Sequence, residues 1–251
     1  MTAYRGSKAI VLRRHDSGEY DRRYVLFTER YGKIIAIGRG THKITSKLAG
    51  SLEPGQLIDI QLAAGKQRDT IIAAEVINSF RNARKSEVAM AQAAFVSEVI
   101  HQLIEPEQNE SAVWELTVSV MNELDRRSMV SKVLGPYFIV RLLALLGTGP
   151  NLDHCGKCRS TLKEEEHGFD QVNNYLLCQK CKGKGNLINI NAVKALRLFS
   201  AGKLPIVKRL KLAEHDVKEI SRLALKILNN SLNYPLVSIK VLNDLSNKVN
   251  K

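Results

Sequence analysis

Four cysteines in two pairs, Cys155–Cys158 and Cys178–Cys181, constrain this chain more than any other feature. Two residues between thiols suit a tight knuckle that points both sulfurs at one ion. Two such knuckles complete a tetrahedral site. Soft thiolates favour zinc, with an iron–sulfur cluster or a redox pair as the alternatives. Nineteen residues separate the pairs, so residues 155–185 must fold back on themselves. Four thiolates close the coordination shell and leave no position for water, so the expected ion is structural. His154, beside the first knuckle, is a substitute ligand that four cysteines make unnecessary. Lys157, Arg159, Lys180, Lys182 and Lys184 surround the pairs. They read either as a phosphate-binding tip or as compensation for the −2 charge of zinc with four thiolates.

The rest of the chain divides by pattern. Within residues 1–80, Ala9–Leu12, Tyr24–Phe27 and Ile34–Ile37 are short apolar runs, and Leu57–Leu62 alternates apolar and polar. A fifth strand is expected from about Thr70 to Ile77, with a helical link between Ile44 and Leu52. Five short strands with a link after the third suit an OB-fold, or else an SH3-like barrel; periodicity alone does not separate them. Residues 81–154 carry three helical patterns, the third from about Val130 to Leu146 and apolar nearly all round. Residues 155–185 read as loop, and residues 186–251 return to helix near Asn191–Ala201, Glu214–Asn230 and after Pro235. The fold class expected is therefore α+β: a five-stranded OB barrel, then an all-helical domain with an inserted four-cysteine zinc module.

Charge is distributed unevenly. The formal net charge is +13, from 38 Lys and Arg against 25 Asp and Glu. Residues 1–50 hold +7 and residues 186–251 hold +8, while residues 51–80 and 81–154 hold −2 each. A loaded zinc–thiolate site would bring the chain nearer +11 and leave the surplus at the two ends. Such an excess points to a polyanionic partner. In the first segment Arg13, Arg14, Arg22, Arg23, Arg30, Lys33, Arg39, Lys43 and Lys47 are interleaved with Tyr4, Tyr20, Tyr24, Phe27 and Tyr31. Single-strand-binding barrels use this mixture, with cations on phosphates and rings on bases; core packing is the competing reading for each ring. In the last segment Lys208, Arg209 and Lys211 precede Lys218, Arg222 and Lys226, a second polyanion contact or a solvated helix face.

Other function classes find no support in the residues. The chain has no phosphate-cradling glycine loop, no zinc-protease helix motif and no nucleophile elbow, and its six histidines are scattered, so no catalysis is expected. The most apolar run, Tyr137 to Leu146, is too short to span a bilayer and contains Arg141. Arg5, Lys8, Arg13 and Arg14 interrupt any signal-peptide core, so a cytoplasmic location is expected. In that reducing compartment cysteines serve as metal ligands more than as disulfides.

Several stretches resemble the bacterial recombination mediator family RecO. They are Ala9–Arg14, Gly18–Arg22, Leu26–Lys33 and the basic turn from Gly38-Arg39-Gly40 to Leu48, then Leu52-Glu53-Pro54 and, most specific, Phe138 to Cys158. Gly168-Phe169 before the second knuckle fits as well. Two stretches depart from the family pattern: Thr41–Thr45, where more arginine and a proline are common, and Asn173-Asn174, where paired glycines are usual. The resemblance implies an OB-fold, a helical domain and a zinc insertion that not all members keep. It implies a non-catalytic DNA repair and recombination protein of the RecFOR pathway, associated with the nucleoid. Such a protein binds single- and double-stranded DNA, anneals complementary strands, partners RecR, engages the acidic C-terminal tail of single-strand binding protein and helps load RecA. Arg126, Arg127, Lys132 and Arg141 are the residues expected to meet that tail, with a core role as the competing reading for Arg141. The competing functions are an RNA-binding OB and zinc protein of translation or ribosome assembly, and a metal-dependent nuclease.

Overall fold

The computed structural model describes residues 3–126, 132–170, 172–183 and 187–249. The chain forms two compact units, Met1–Val130 with Leu236–Lys251, and Ser131–Pro235. These units cut across the segments read from composition, because the helices Glu87–Leu103, Ser111–Arg126 and Val237–Val249 group with the barrel.

The first unit begins with five strands: β1 (Tyr4–Ser17), β2 (Asp21–Thr28), β3 (Gly32–Gly38), β4 (Leu57–Ala63) and β5 (Asp69–Asn78). They close into a barrel in the order β1-β2-β3-β5-β4, as an OB-fold does. All pairings are antiparallel except β3–β5, where Ala36 and Ile37 face Asp69 and Thr70. The first strand is far longer than its apolar run suggests. Its first half pairs with β4, from Tyr4↔Ala63 to Ile10↔Leu57, and its second half with β2, ending at Ser17↔Asp21. A bulge between Val11 and Arg13 lets the strand turn that corner.

Ala9, Val11, Tyr24, Leu26, Ile34, Ala36, Ile58, Ile60, Leu62 and Ile71 fill the barrel. The link after β3 is a single 3-10 turn, Ala49–Leu52, which inserts Leu52 into this core. Ile10 and Leu12 are buried as well, because the helix Glu87–Leu103 packs against β1. That explains a continuous apolar run where one wet face would give alternation.

Helix α1 (Glu87–Leu103) starts where the Ser86 hydroxyl accepts the Ala89 N–H, and ends before Pro106. Helix α2 (Ser111–Arg126) begins at Ser111 itself and lays Trp114 edge-on against Phe27, with ring centroids 5.7 Å apart. Helix α7 (Val237–Val249) packs on α1 and is longer than the short segment expected after Pro235.

The second unit contains α3 (Leu134–Leu145), α4 (Ile190–Ala201), the short α5 (Leu204–Val207) and α6 (Glu214–Asn229). Helix α3 packs against α4 and α6, and Tyr137 meets Phe199 edge-on at 6.0 Å. Its buried residues surround the whole helix, which explains the missing polar face. Helix α3 begins at Leu134, and its expected start near Val130 lies outside the described residues. The cysteine module is not wholly loop: β6 (His167–Asp170), β7 (Tyr175–Leu177) and β8 (Leu187–Ile188) form a small antiparallel sheet with β6 in the centre.

Candidate functional site

The two knuckles bring Cys155, Cys158, Cys178 and Cys181 together, with all four Sγ atoms within 4.8 Å of one another. Cys158 and Cys178 are 3.6 Å apart. A tetrahedral ion with metal–sulfur bonds of about 2.3 Å needs edges of roughly 3.8 Å, so the donor set suits such an ion with at most a small closing movement.

Each knuckle is shaped by backbone bonds. Arg159 N–H donates to the Cys155 carbonyl at 2.9 Å, and Cys155 N–H to that of Ser160 at 2.8 Å. The Cys181 and Lys182 N–H groups both donate to the Cys178 carbonyl at 2.9 Å. Arg159 and Gly183 supply the left-handed residues, with φ of 62° each. Gly156 has no room for a side chain, since a Cβ would lie 2.1 Å from the Tyr175 ring.

The four sulfurs are not equivalent. The hydroxyl and N–H of Ser160 hold the Cys158 thiol down at about 6, whereas burial and the neighbouring sulfurs push Cys181 up to about 12. His154 is exposed and stands outside the cluster. Among the surrounding cations, Lys182 lies 4.0 Å from Glu166, while Lys157, Arg159 and Lys180 are exposed; Lys184 lies outside the described residues. Arg197 of α4 anchors the module. Its guanidinium donates to the carbonyls of Leu152 at 2.9 Å and Leu162 at 3.4 Å, and lies 3.5 Å from Asp153. Nothing in the spacing of α4 distinguishes this arginine from a solvated one.

The basic residues of the barrel divide by partner. Arg14 pairs with Glu53, and Arg13 lies 3.6 Å from Glu98. The guanidinium of Arg22 meets Asp16 at 3.1 Å, which raises its pKa, and donates to the Thr41 carbonyl at 3.3 Å. Lys33 is half-buried and donates to the His101 carbonyl at 2.6 Å; burial pulls its pKa down. Arg23, Arg30, Arg39 and Lys47 are exposed, and no acidic partner for them appears among the described residues. Lys43 sits over the Tyr20 ring, 4.6 Å from its centroid. The rings divide likewise: Tyr24 and Phe27 are core, Tyr31 is covered by Arg5 at 4.5 Å, and Tyr4 and Tyr20 are exposed.

In the second unit Lys208, Arg209 and Lys211 are exposed around the end of α5. Lys132 lies 3.5 Å from Glu214, and Arg141 donates to the Ser200 carbonyl. Arg126 ends α2 in the first unit, and Arg127 lies outside the described residues.

An apolar cavity of about 510 Å³ opens in the first unit, walled by Phe80, Met90, Ala94, Met121 and Val241, with Arg13 and Arg84 among its lining residues. Glu98 lines it too, and accepts from Val237 N–H at 3.1 Å, Ser238 N–H at 2.9 Å and the Ser238 hydroxyl at 2.6 Å. Burial opposes ionisation of Glu98, but the Ser238 and Val237 bonds and Arg13 outweigh it, so its carboxyl lies below the usual range. The role of Glu98 was not legible in the sequence, since Val237 and Ser238 lie about 140 positions away. No helix of the described residues is long and apolar enough to cross a membrane.

Comparison with known proteins agrees with this architecture. The family model for the Recombination protein O N terminal matches residues 1–80, and that for the Recombination protein O C terminal matches residues 84–239. The DNA repair protein RecO of Dehalococcoides mccartyi is 31% identical over 216 residues, 85% of each chain. That of Desulfatibacillum aliphaticivorans is 27% identical over 248 residues, 95% of this chain and 96% of the relative. With both family models matched over the barrel and nearly all that follows it, the chain belongs to the RecO family of DNA repair proteins.

Proposed function

We propose that the protein is a non-catalytic cytoplasmic mediator that binds single- and double-stranded DNA, anneals complementary strands and, with RecR and single-strand binding protein, promotes RecA loading. The observation that carries this reading is the set of exposed cations on an OB barrel, Arg23, Arg30, Arg39 and Lys47, without acidic partners among the described residues, in a member of a DNA repair family. Annealing requires that two mutually repelling strands be neutralised together. Lys208, Arg209 and Lys211 of the second unit supply a second basic surface. In this reading residues 1–80 are the principal DNA-binding module and residues 155–185 a metal-stabilised one.

The tail of single-strand binding protein is acidic and needs an apolar pocket with cations near its mouth. Lys132, beside Glu214, and Arg141, on the Ser200 carbonyl, are the candidate cations of the second unit; the cavity of the first unit suits the tail better because it joins apolar walls to Arg13 and Arg84, with Arg126 as a further cation of that unit. The decisive assay is annealing of complementary strands coated with single-strand binding protein. Acceleration is expected, and intact DNA binding without acceleration would overturn the mediator role. A strong preference for RNA in matched competition would favour a translation or ribosome-assembly role, and reproducible cleavage with magnesium a nuclease.

For the four-cysteine site we propose structural zinc, which would cross-link the two knuckles. One metal per chain is expected, lost on joint substitution of Cys155→Ser and Cys158→Ser; freshly purified protein without metal would refute the assignment.

A further inference from the structure

One end of the barrel is built from two loops held against each other. The turn between β1 and β2 carries Tyr20, and the segment after β3 carries Arg39 to Lys47. His42 N–H donates to the Tyr20 carbonyl at 2.9 Å, Gly40 N–H to Asp21 Oδ1 at 2.7 Å, and Arg22 to the Thr41 carbonyl at 3.3 Å. Thr41 is buried, with its hydroxyl on the Gly38 carbonyl at 2.8 Å. A segment without regular structure is thereby fixed in place.

What it presents is unusual for a basic surface. Tyr20 is 48% exposed, although Lys43 covers one face of its ring. Ile44, two residues beyond the bond that ties His42 to Tyr20, is fully exposed. An exposed isoleucine alone needs no explanation. Here it stands beside Lys43, close in sequence to Arg39 and Lys47, so apolar surface and positive charge are offered together. Single strands are the complement of that combination: their bases expose flat apolar faces next to phosphates. A duplex stacks those faces away and leaves its phosphates, grooves and base edges.

We propose that Tyr20, steadied by Lys43, and Ile44 form a base-contacting tip that lets the chain prefer single-stranded DNA over duplex. The open face of the Tyr20 ring takes an unpaired base. Lys43, on the other face, brings its charge to the adjoining phosphates. This inference rests on the DNA-binding reading of the barrel and adds base contact to what would otherwise be phosphate binding alone.

The test compares Tyr20→Ala, Tyr20→Phe, Ile44→Ser and Arg39→Ala in the full chain, by fluorescence anisotropy on a single strand and a duplex across a salt titration. Tyr20→Ala and Ile44→Ser should each weaken single-strand binding by about tenfold. Duplex binding should stay within about twofold and the salt slope unchanged, because stacking releases no counterions. Tyr20→Phe should keep the wild-type preference. A 2-aminopurine base in the strand should be quenched by the wild type and not by Tyr20→Ala. Equal losses on both DNAs, or none on the single strand, overturn the proposal; so does a loss confined to a matched RNA strand. Arg39→Ala should weaken both DNAs and reduce the salt slope by about one. If it changes neither, the DNA-binding reading of this loop fails instead.

Discussion

At the scale of single residues, the meaning of a cation depends on what it already touches. Arg23 and Arg39 are exposed and free of acidic partners among the described residues, whereas Lys182 has Glu166 within 4.0 Å. Substituting Arg23 and Arg39 by alanine should therefore weaken DNA binding more than substituting Lys180 and Lys182, as read by equilibrium titration at fixed salt. The reverse order would make the knuckles the main contact. A second prediction concerns His101. Burial, with Arg13, Lys33 and His15 nearby, pulls its pKa down to about 4. A base depressed in the folded state takes up protons on unfolding, so stability is whole above about pH 6.5 and falls as the pH drops toward 4. Denaturant unfolding at pH 7 and pH 5 should show that loss, and His101→Leu should reduce it, by about 1–2 kcal/mol once partial exposure is allowed for. Glu98 acts in the same direction at lower pH: its depressed carboxyl stabilises the fold above the ordinary carboxylate range, and that contribution disappears as the pH falls below it. The residue chemistry legible beforehand was local. Cys-x2-Cys spacing reported the sulfur cluster because four sulfurs meet wherever two knuckles close. Arg197 was not legible, because gripping Leu152 and Leu162 from α4 depends on packing that no local spacing encodes.

Among elements, the legible ones were those whose burial is one-sided or total over several turns. Leu57–Leu62 alternates because β4 has one face in the barrel, and Val217 to Leu228 repeats because α6 covers its neighbours with one stripe. Strands β7 and β8, three and two residues long, fall below what any period resolves. Helix α7 shows how far a local pattern falls short: its first turn is held by Glu98 in α1, 140 positions from Ser238. Glu98→Ala removes a charged acceptor from two backbone N–H groups and a hydroxyl, so a loss of about 1–3 kcal/mol is expected. Hydrogen exchange should localise it, with faster exchange in Val237–Val249 and undiminished protection in β1 and β4. Uniform loss across the barrel would show that the clasp is not a local one.

For the whole molecule, the surplus charge predicts behaviour that no single substitution reports. If six to ten phosphates are neutralised, affinity should fall by about 10³–10⁵ between 50 and 200 mM salt, measured on one oligonucleotide under otherwise fixed conditions. A nearly flat dependence would mean that the basic ends do not meet DNA. Net charge was available from composition, whereas the grouping of α7 with the barrel needed the structure. That grouping bears on how the chain is made. On the ribosome, α1 and its Glu98 emerge well before Val237 and Ser238, with all of Ser131–Pro235 still to come. At roughly 5–20 residues per second, synthesis of that stretch takes on the order of 5–20 s. During that interval the barrel can close, and Arg13 is the partner at hand for Glu98. The side of α1 that α7 will cover faces the cell bare, and the nascent unit stays open to chaperones until the last helix arrives.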